Sequence, residues 1–291
     1  MSMNNQLTEI RHDTKKKFIP SKCFVTLILK HIILVIIGFT MILPFLWMVL
    51  TSLKPLGEID LENWIPTRFQ WRNYFELFRV IPFARFYSNS LFVAGWVTFL
   101  QVFTSSLAAF SFSRINWYGR DKIFFLYLST MMLPGLVIMV PNYQIMIKLG
   151  LIDSFVGLIL PAAFSAFGTF LLRQFMLSIP TSLDEAAEID GASKWQIFWN
   201  VIMPLSRPGV ITLTIFTFMG AYGSFFWPLV MLKSVHKYTL PIGLLYFDSS
   251  RGQSTHFLMA AVTMSIVPMI ILFAALQKYF VKGIQIGAVK G

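Results

Sequence analysis

Charged side chains are the most costly to place in hydrocarbon, so the stretches that lack them limit what this chain can fold into. Six charge-free stretches interrupt the 291 residues: 31–53, 86–113, 123–147, 154–172, 208–232 and 252–277, of 23, 28, 25, 19, 25 and 26 residues. The next longest, 195–206, has only 12. A bilayer-crossing helix needs ~20 mostly apolar residues. The expected fold is therefore an all-α integral membrane protein with six transmembrane helices, over about 32–53, 88–112, 123–141, 155–172, 208–232 and 256–277. Composition agrees: 13% of residues are charged and 56% hydrophobic, where soluble domains carry roughly 25% charge. That excludes an ordinary soluble enzyme and a disordered tail. The single Cys23 excludes a disulfide scaffold and a cysteine-based metal cluster.

The net charge of +11 could suggest nucleic acid, but its distribution reads as orientation. Arg11, Lys15, Lys16, Lys17, Lys22 and Lys30 all precede the first apolar stretch, and basic residues before the first span favour the cytoplasmic side. With both termini cytoplasmic, the inside segments hold 15 basic and 7 acidic residues, and the outside segments 9 and 6. No nucleic-acid partner is expected. Residues 1–31 form a basic cytoplasmic segment, 32–279 the membrane domain and 280–291 a cytoplasmic tail. Ile32–Leu50 is too long for a signal-peptide core and no small-residue cleavage site follows it, so it reads as a retained span.

Prolines fall in or beside most spans: Pro44, Pro134, Pro161, Pro208, Pro228 and Pro268. Each removes a helix donor, which suits a bundle that encloses a path. Ser105, Ala109 and Ser113 recur at helical spacing, small enough for a neighbouring helix to approach closely.

The longest inside connection, 173–207, carries the strongest pattern. Ser182 with Glu185 has the spacing of a capping box, and Asp184, Glu185 and Glu188 favour the N-terminal half of a helix. Gly191 stands where a helix would close. Ser193 with Gln196 is a second capping box, after which Trp195, Phe198 and Ile202 repeat along one face until Pro204. The segment reads as two short helices joined at Gly191. They either fold onto their own bundle or dock against another protein, for which Ala186 and Ala187 offer a flat surface.

Glu185-Ala186-Ala187, Asp190-Gly191-Ala192, Phe198, Ile202 and Pro204 resemble, with spacing intact, the EAA loop of ABC importer permease subunits. The ending Gly283-Ile284-Gln285-Ile286-Gly287-Ala288-Val289-Lys290-Gly291 is similar to that of the carbohydrate-uptake, maltose-type branch. Asn73-Tyr74, Asn89-Ser90, Leu133-Pro134 and Pro141 are weaker matches, so the resemblance runs from about residue 70 to the C-terminus. It implies a cytoplasmic coupling loop between spans 4 and 5 that sits in a cleft of a separate, dimeric ATPase. Glu185, Ala186, Ala187, Asp190, Gly191 and Ala192 would lie at that contact, with Phe198 and Pro204 shaping the second coupling helix. The tail, through Gly287, Lys290 and Gly291, would reach the ATPase dimer. The further partners it implies are a second, related permease, an extracytoplasmic solute-binding protein and a neutral sugar as cargo. The location would be a bacterial-type inner membrane. ATP and magnesium would belong to the ATPase, leaving this chain with no cofactor. One departure stands out: many relatives carry a Trp-Asn pair before the aromatic-Pro-Leu stretch of span 5, where this chain has Ala221-Tyr222-Gly223-Ser224 before Phe226-Trp227-Pro228-Leu229.

The chemistry that is missing narrows the choice. No Gly-x-x-x-x-Gly-Lys-Ser/Thr segment occurs, so no phosphate-cradling loop is available. His12, His31, His236 and His256 show no metal-ligand spacing. No Asp, Glu, Lys or Arg falls within the six stretches, whereas ion-coupled carriers need such groups at membrane depth. A path for an uncharged solute needs hydrogen-bonding groups and aromatic walls instead. Gln101, Thr104, Ser105, Tyr222 and Ser224 are candidates for it, or for ordinary interhelical hydrogen bonds. The aromatic-rich outside segment 54–85 suits either a binding-protein contact or an interfacial cap. The leading function is thus an ATP-driven sugar-importer permease subunit, not itself an enzyme. The alternative is a stand-alone carrier or facilitator for an uncharged solute.

Overall fold

The computed structural model describes residues 21–55, 57, 58, 63–251 and 255–288, which are helical with no strand among them. The helices are α1 (Ser21–Ser52), α2 (Arg72–Val80), α3 (Phe83–Arg114), α4 (Arg120–Ser129), α5 (Gly135–Lys148), α6 (Phe155–Ala162), α7 (Ala166–Leu177), α8 (Ser182–Ile189), α9 (Lys194–Ile197), α10 (Met203–Leu205), α11 (Arg207–Tyr222), α12 (Phe226–Met231), α13 (Leu240–Arg251) and α14 (Thr255–Ala288).

Among the described residues, three helices are each long and apolar enough to cross a membrane: Thr26–Ser52 of α1, all of α3, and Thr255–Lys278 of α14. Pro44 and Pro268 sit inside continuous helices without breaking them. The other apolar stretches are bent. α4, extended by a 3-10 turn over Thr130–Met132, meets α5 at 100°, and α6 meets α7 at 44°. The expected span at 123–141 is therefore two helices rather than one. Leu133 is extended at the bend, the conformation a following proline imposes, and Pro134 then starts the new helix. The stretch 208–232 is also divided, because α11 ends at Tyr222 and α12 begins only at Phe226.

α3 is the central post. At 32 residues it is about 48 Å long, and it packs against α6, α7, α11 and α13. α1 lies along α14, which also packs on α2 and α11. Three apolar clusters are strung along α3. Phe83, Phe86 and Ala94, near its start, pack with Leu77, Tyr222, Leu240, Phe247 and Ala261. Val93 and Val97 pack with Met146, Leu158, Met231, Leu232 and Ile242. Ala109 and Phe110, near its end, pack with Leu172, Met176, Ile197, Phe198, Ile202 and Leu213. Segment 232–247 therefore belongs to one end of the post and segment 172–202 to the other.

The small-residue stripe works as a contact surface. Ser105 and Ala109 are fully buried, and a methyl group added at Gly168 of α7 would stand 2.6 Å from Ser105 Oγ. α3 and α7 meet that closely only because neither carries bulk at the crossing. Residues 1–20, including Lys15-Lys16-Lys17, lie outside the described residues, as do Lys290 and Gly291. The backbone through Gly287 is the helical continuation of α14.

Candidate coupling site and transport cleft

The two short helices of segment 173–207 are present, and their joint is a complete glycine cap. Gly191 is left-handed at φ 83°; its N–H donates to Glu188 O (3.0 Å) and that of Ala192 to Ala187 O (2.9 Å). That double bond closes α8 with a residue whose φ only glycine adopts freely. The Ser193–Gln196 capping box at the start of α9 is fully formed, with Gln196 N–H donating to Ser193 Oγ (3.3 Å) and Ser193 N–H to Gln196 Oε1 (2.7 Å).

Two readings need correction. The Ser182–Glu185 capping box is not formed: the N-cap position belongs to Thr181, which is itself helical, and no side chain caps α8. The carbonyls of Pro180 and Thr181 instead receive the first N–H groups in a tight turn. The aromatic stripe is also split. Phe198 and Ile202 are fully buried together with Ile197, while Trp195 and Trp199 remain largely exposed. Pro204 cannot donate to the Asn200 carbonyl, and the backbone widens into a π turn over Phe198–Ile202 that shifts the buried face. Pro204 itself lies in the last turn, α10, and the chain corners at Ser206 into α11 with a bend of 77°.

Within the motif, the alanines face different ways. Ala187 and Ala192 pack against the apolar cluster at the end of α3, while Glu185, Ala186, Asp190 and Gly191 are exposed. α8 thus makes its apolar contact with the bundle through Ala187 and presents a carboxylate, a methyl group and the glycine cap outward. A polar cavity of about 300 Å³ lies beneath it, lined by Arg114, Asp184, Glu185, Glu188 and Lys194 among others. Arg114, which the sequence offers only as the charge ending a gap, is 4% exposed and pairs with Asp184 at 3.0 Å.

The candidate path residues separate. Gln101 Nε2 donates to Thr217 Oγ1 (3.0 Å), Thr104 Oγ1 to Ala163 O at the α6–α7 bend (2.6 Å), and Tyr222 OH to Ser265 O (3.1 Å). Ser105 is buried against Gly168. Ser224 alone of the five lines the open cleft of about 610 Å³ walled by Gly135, Leu136, Met139, Asn142, Pro161 and Phe225–Trp227. Three interrupted helices meet there: the start of α5, the end of α6 and the gap before α12. Irregular backbone at membrane depth is tolerated where it lines a cavity. No ionisable side chain is among its walls.

At the opposite end of α3, the segment after α12 is pinned from two sides. Asn89 Nδ2 donates to His236 O (3.0 Å) and Tyr238 O (2.9 Å), and Ser90 Oγ accepts from Leu240 N–H (2.7 Å). Asp153, left-handed at φ 55°, accepts from the N–H groups of Lys233 (3.0 Å) and Ser234 (3.1 Å), from Ser234 Oγ (2.6 Å) and from Lys237 Nζ (3.1 Å). Partial burial pushes its carboxyl up, but these donors outweigh burial and hold it well below the usual carboxylate range. Asn73 makes a similar anchor, donating to Ser52 O (2.9 Å) and Lys54 O (3.0 Å) at the end of α1. These anchors account for the Asn73-Tyr74 and Asn89-Ser90 matches; the role of Asp153 has no sequence signal.

Residues 101–286, from the second half of α3 into the last turns of α14, match the family described as binding-protein-dependent transport system inner membrane components. The chain belongs to this family. It is 33% identical to the arabinooligosaccharides transport system permease protein AraQ of Halalkalibacterium halodurans, over 88% of this chain and 93% of that protein. It is 31% identical to the melibiose/raffinose/stachyose import permease protein MelC of Bacillus subtilis, over 86% and 91%. Among solved structures, a bacterial ABC transporter involved in the import of the acidic polysaccharide alginate superposes with a TM-score of 0.79 at 25% identity, over 89% of this chain and 98% of that one. The self-contained carrier is accordingly not the favoured reading of this inner-membrane component.

Proposed function

We propose that this inner-membrane component is the permease subunit of an ATP-driven sugar importer, with α8–Gly191–α9 as the part gripped by its motor. In this reading six spans are formed by α1, α3, α4–α5, α6–α7, α11–α12 and α14. α8–α10 then lie on the cytoplasmic face together with both termini. The observation that carries it is the capped two-helix unit, seated by Ala187, Ala192 and Phe198 on the end of the central helix while Glu185, Ala186 and Gly191 face outward. A dimeric cytoplasmic ATPase, carrying ATP and magnesium, would engage that face. A second, related permease would complete the pore, and an extracytoplasmic binding protein would deliver cargo at the 232–247 end. Transport is alternating access: the ATPase shifts the populations of two bundle states, inward- and outward-open.

A neutral carbohydrate is the proposed cargo. The cleft offers Asn142, Ser224 and the aromatic faces of Phe225, Phe226 and Trp227, with no charge to balance a charged sugar. The relative that imports an acidic polysaccharide shows that family membership does not fix this property. The test is reconstitution in proteoliposomes with a radiolabelled arabinooligosaccharide. Uptake that requires the ATPase, ATP and the binding protein supports the proposal; uptake by this chain alone supports the carrier.

A further inference from the structure

At the coupling end of the bundle, two arginines are exchanged between α3 and α7. Arg114, the last residue of α3, reaches across to the end of α7. Its guanidinium donates to Met176 O and to Ile179 O (2.7 Å), and pairs with Asp184 of α8 at 3.0 Å. Arg173 of α7 reaches the other way. Its Nε donates to Phe112 O of α3 (3.1 Å), its terminal nitrogen stands 3.4 Å from Asp121 in the first turn of α4, and its guanidinium lies 4.2 Å from the Phe124 ring centre. Arg173 covers a last-turn carbonyl of α3, and Arg114 covers Met176 O in the last turn of α7 and Ile179 O in the connection that follows, so each arginine caps the other helix's end rather than its own.

We infer that this reciprocal clamp makes the ends of α3 and α7, α8 and the start of α4 one rigid unit, and that Arg114 is the positioning residue carrying motion of α8 into the central helix. The inference rests on the coupling role proposed for α8. α8 is joined covalently only to α7, through the four residues Ser178–Thr181, and to α9. Without a side-chain link, displacement of α8 could be taken up by that short connection. The Arg114 fork removes this slack: it grips Met176 O of α7 before the connection, Ile179 O within it and Asp184 beyond it. Arg114 is 4% exposed and Asp184 14%, so water screens the pair little.

The test uses the assembled transporter, comparing Arg114→Gln, Arg114→Lys and Asp184→Asn with wild type. Nitroxide labels go at exposed Ser182 on α8 and Tyr118 after α3. In wild type the distance between them stays the same in the nucleotide-free and the ATP/vanadate-trapped complex. In Arg114→Gln it shifts between the two states, and ATP consumed per sugar imported rises about 5- to 150-fold, the span of a typical coupling free energy. Arg114→Lys, which keeps the charge but loses the fork, falls between them. A merely structural role would lower assembly, hydrolysis and uptake together at constant ratio. An unchanged ratio in assembled Asp184→Asn, or a wild-type label distance that changes on trapping, overturns the inference. A wild-type complex that cannot be trapped with nucleotide speaks instead against the ATP-driven reading itself.

Discussion

Replacing Asp153 with Asn should release the segment after α12 at one identifiable place. The carboxylate takes four donors: two backbone N–H groups, a hydroxyl and an ammonium. Asn keeps the tolerance for a left-handed backbone and one acceptor oxygen, so about half of these bonds are lost. A hydrogen bond to a charged group contributes roughly 1.5–3 kcal/mol. The Asp153 side chain is 21% exposed and that of Lys237 33%, so the lower part of that range applies. Two lost bonds then destabilise the closed segment by about 3 kcal/mol, which is about 150-fold in an opening equilibrium. Hydrogen exchange of the purified protein reads this directly. The amides of Lys233 and Ser234 should exchange faster by that factor, while those in the middle of α3 stay unchanged. Exchange at 233 and 234 within threefold of wild type would mean that the Asp153 carboxylate does not hold this segment closed. The pH dependence has a definite sign. A carboxyl held below its ordinary value stabilises the fold above the unfolded-state value of about 3.9 and loses that contribution only as pH falls through the folded value. Acidifying from about pH 7.5 to 5 should therefore leave the wild-type segment closed once intrinsic exchange rates are corrected.

Two further outcomes follow from packing and from the tail. Gly168→Ala should lower the thermal midpoint of the purified protein, because its methyl group would meet Ser105 Oγ at 2.6 Å and Leu213 at 3.2 Å; overpacking of this kind costs about 1–3 kcal/mol. Ser105→Ala in the same chain should restore much of the loss, and a midpoint unmoved by Gly168→Ala would count against the close α3–α7 approach. Removing the chain from Gly283 onward should impair ATPase stimulation in the assembled complex more than membrane insertion. Normal stimulation by a truncated, assembled complex would exclude a role for the tail.

The all-helical fold was legible because hydrocarbon tolerates so few charges: each of the six charge-free stretches lies mostly on helix among the described residues, with breaks at 133–134, 163–165 and 223–225. The breaks were only half legible. Pro134 marks a 100° bend, yet Pro44 and Pro268 lie in unbroken helices. A missing N–H permits a bend, and the surrounding packing decides whether one forms. In segment 173–207, Gly191 and the Ser193–Gln196 box were readable because caps are local chemistry. The Trp195 stripe was misread because a 3.6-residue period does not carry through the π turn over Phe198–Ile202. Arg114–Asp184 joins residues 70 apart, and Asp153 with 233–237 about 80 apart. Nothing in one sequence pairs such distant residues. The path candidates had a similar fate: three polar groups on apolar helices found interhelical partners, and only Ser224 faces the cleft.

In the proposed mechanism, motion from the motor enters this bundle through the glycine-capped pair α8–α9. The decisive comparison is ATP hydrolysed against sugar imported in the same proteoliposomes, for wild type, Glu185→Lys and Gly191→Pro. Proline cannot adopt the φ of 83° at residue 191, and lysine reverses the charge that α8 presents at residue 185. Both variants should insert and co-purify with the ATPase, yet hydrolyse ATP with import largely lost. Uptake at the wild-type ratio to hydrolysis in either assembled variant would contradict the claim.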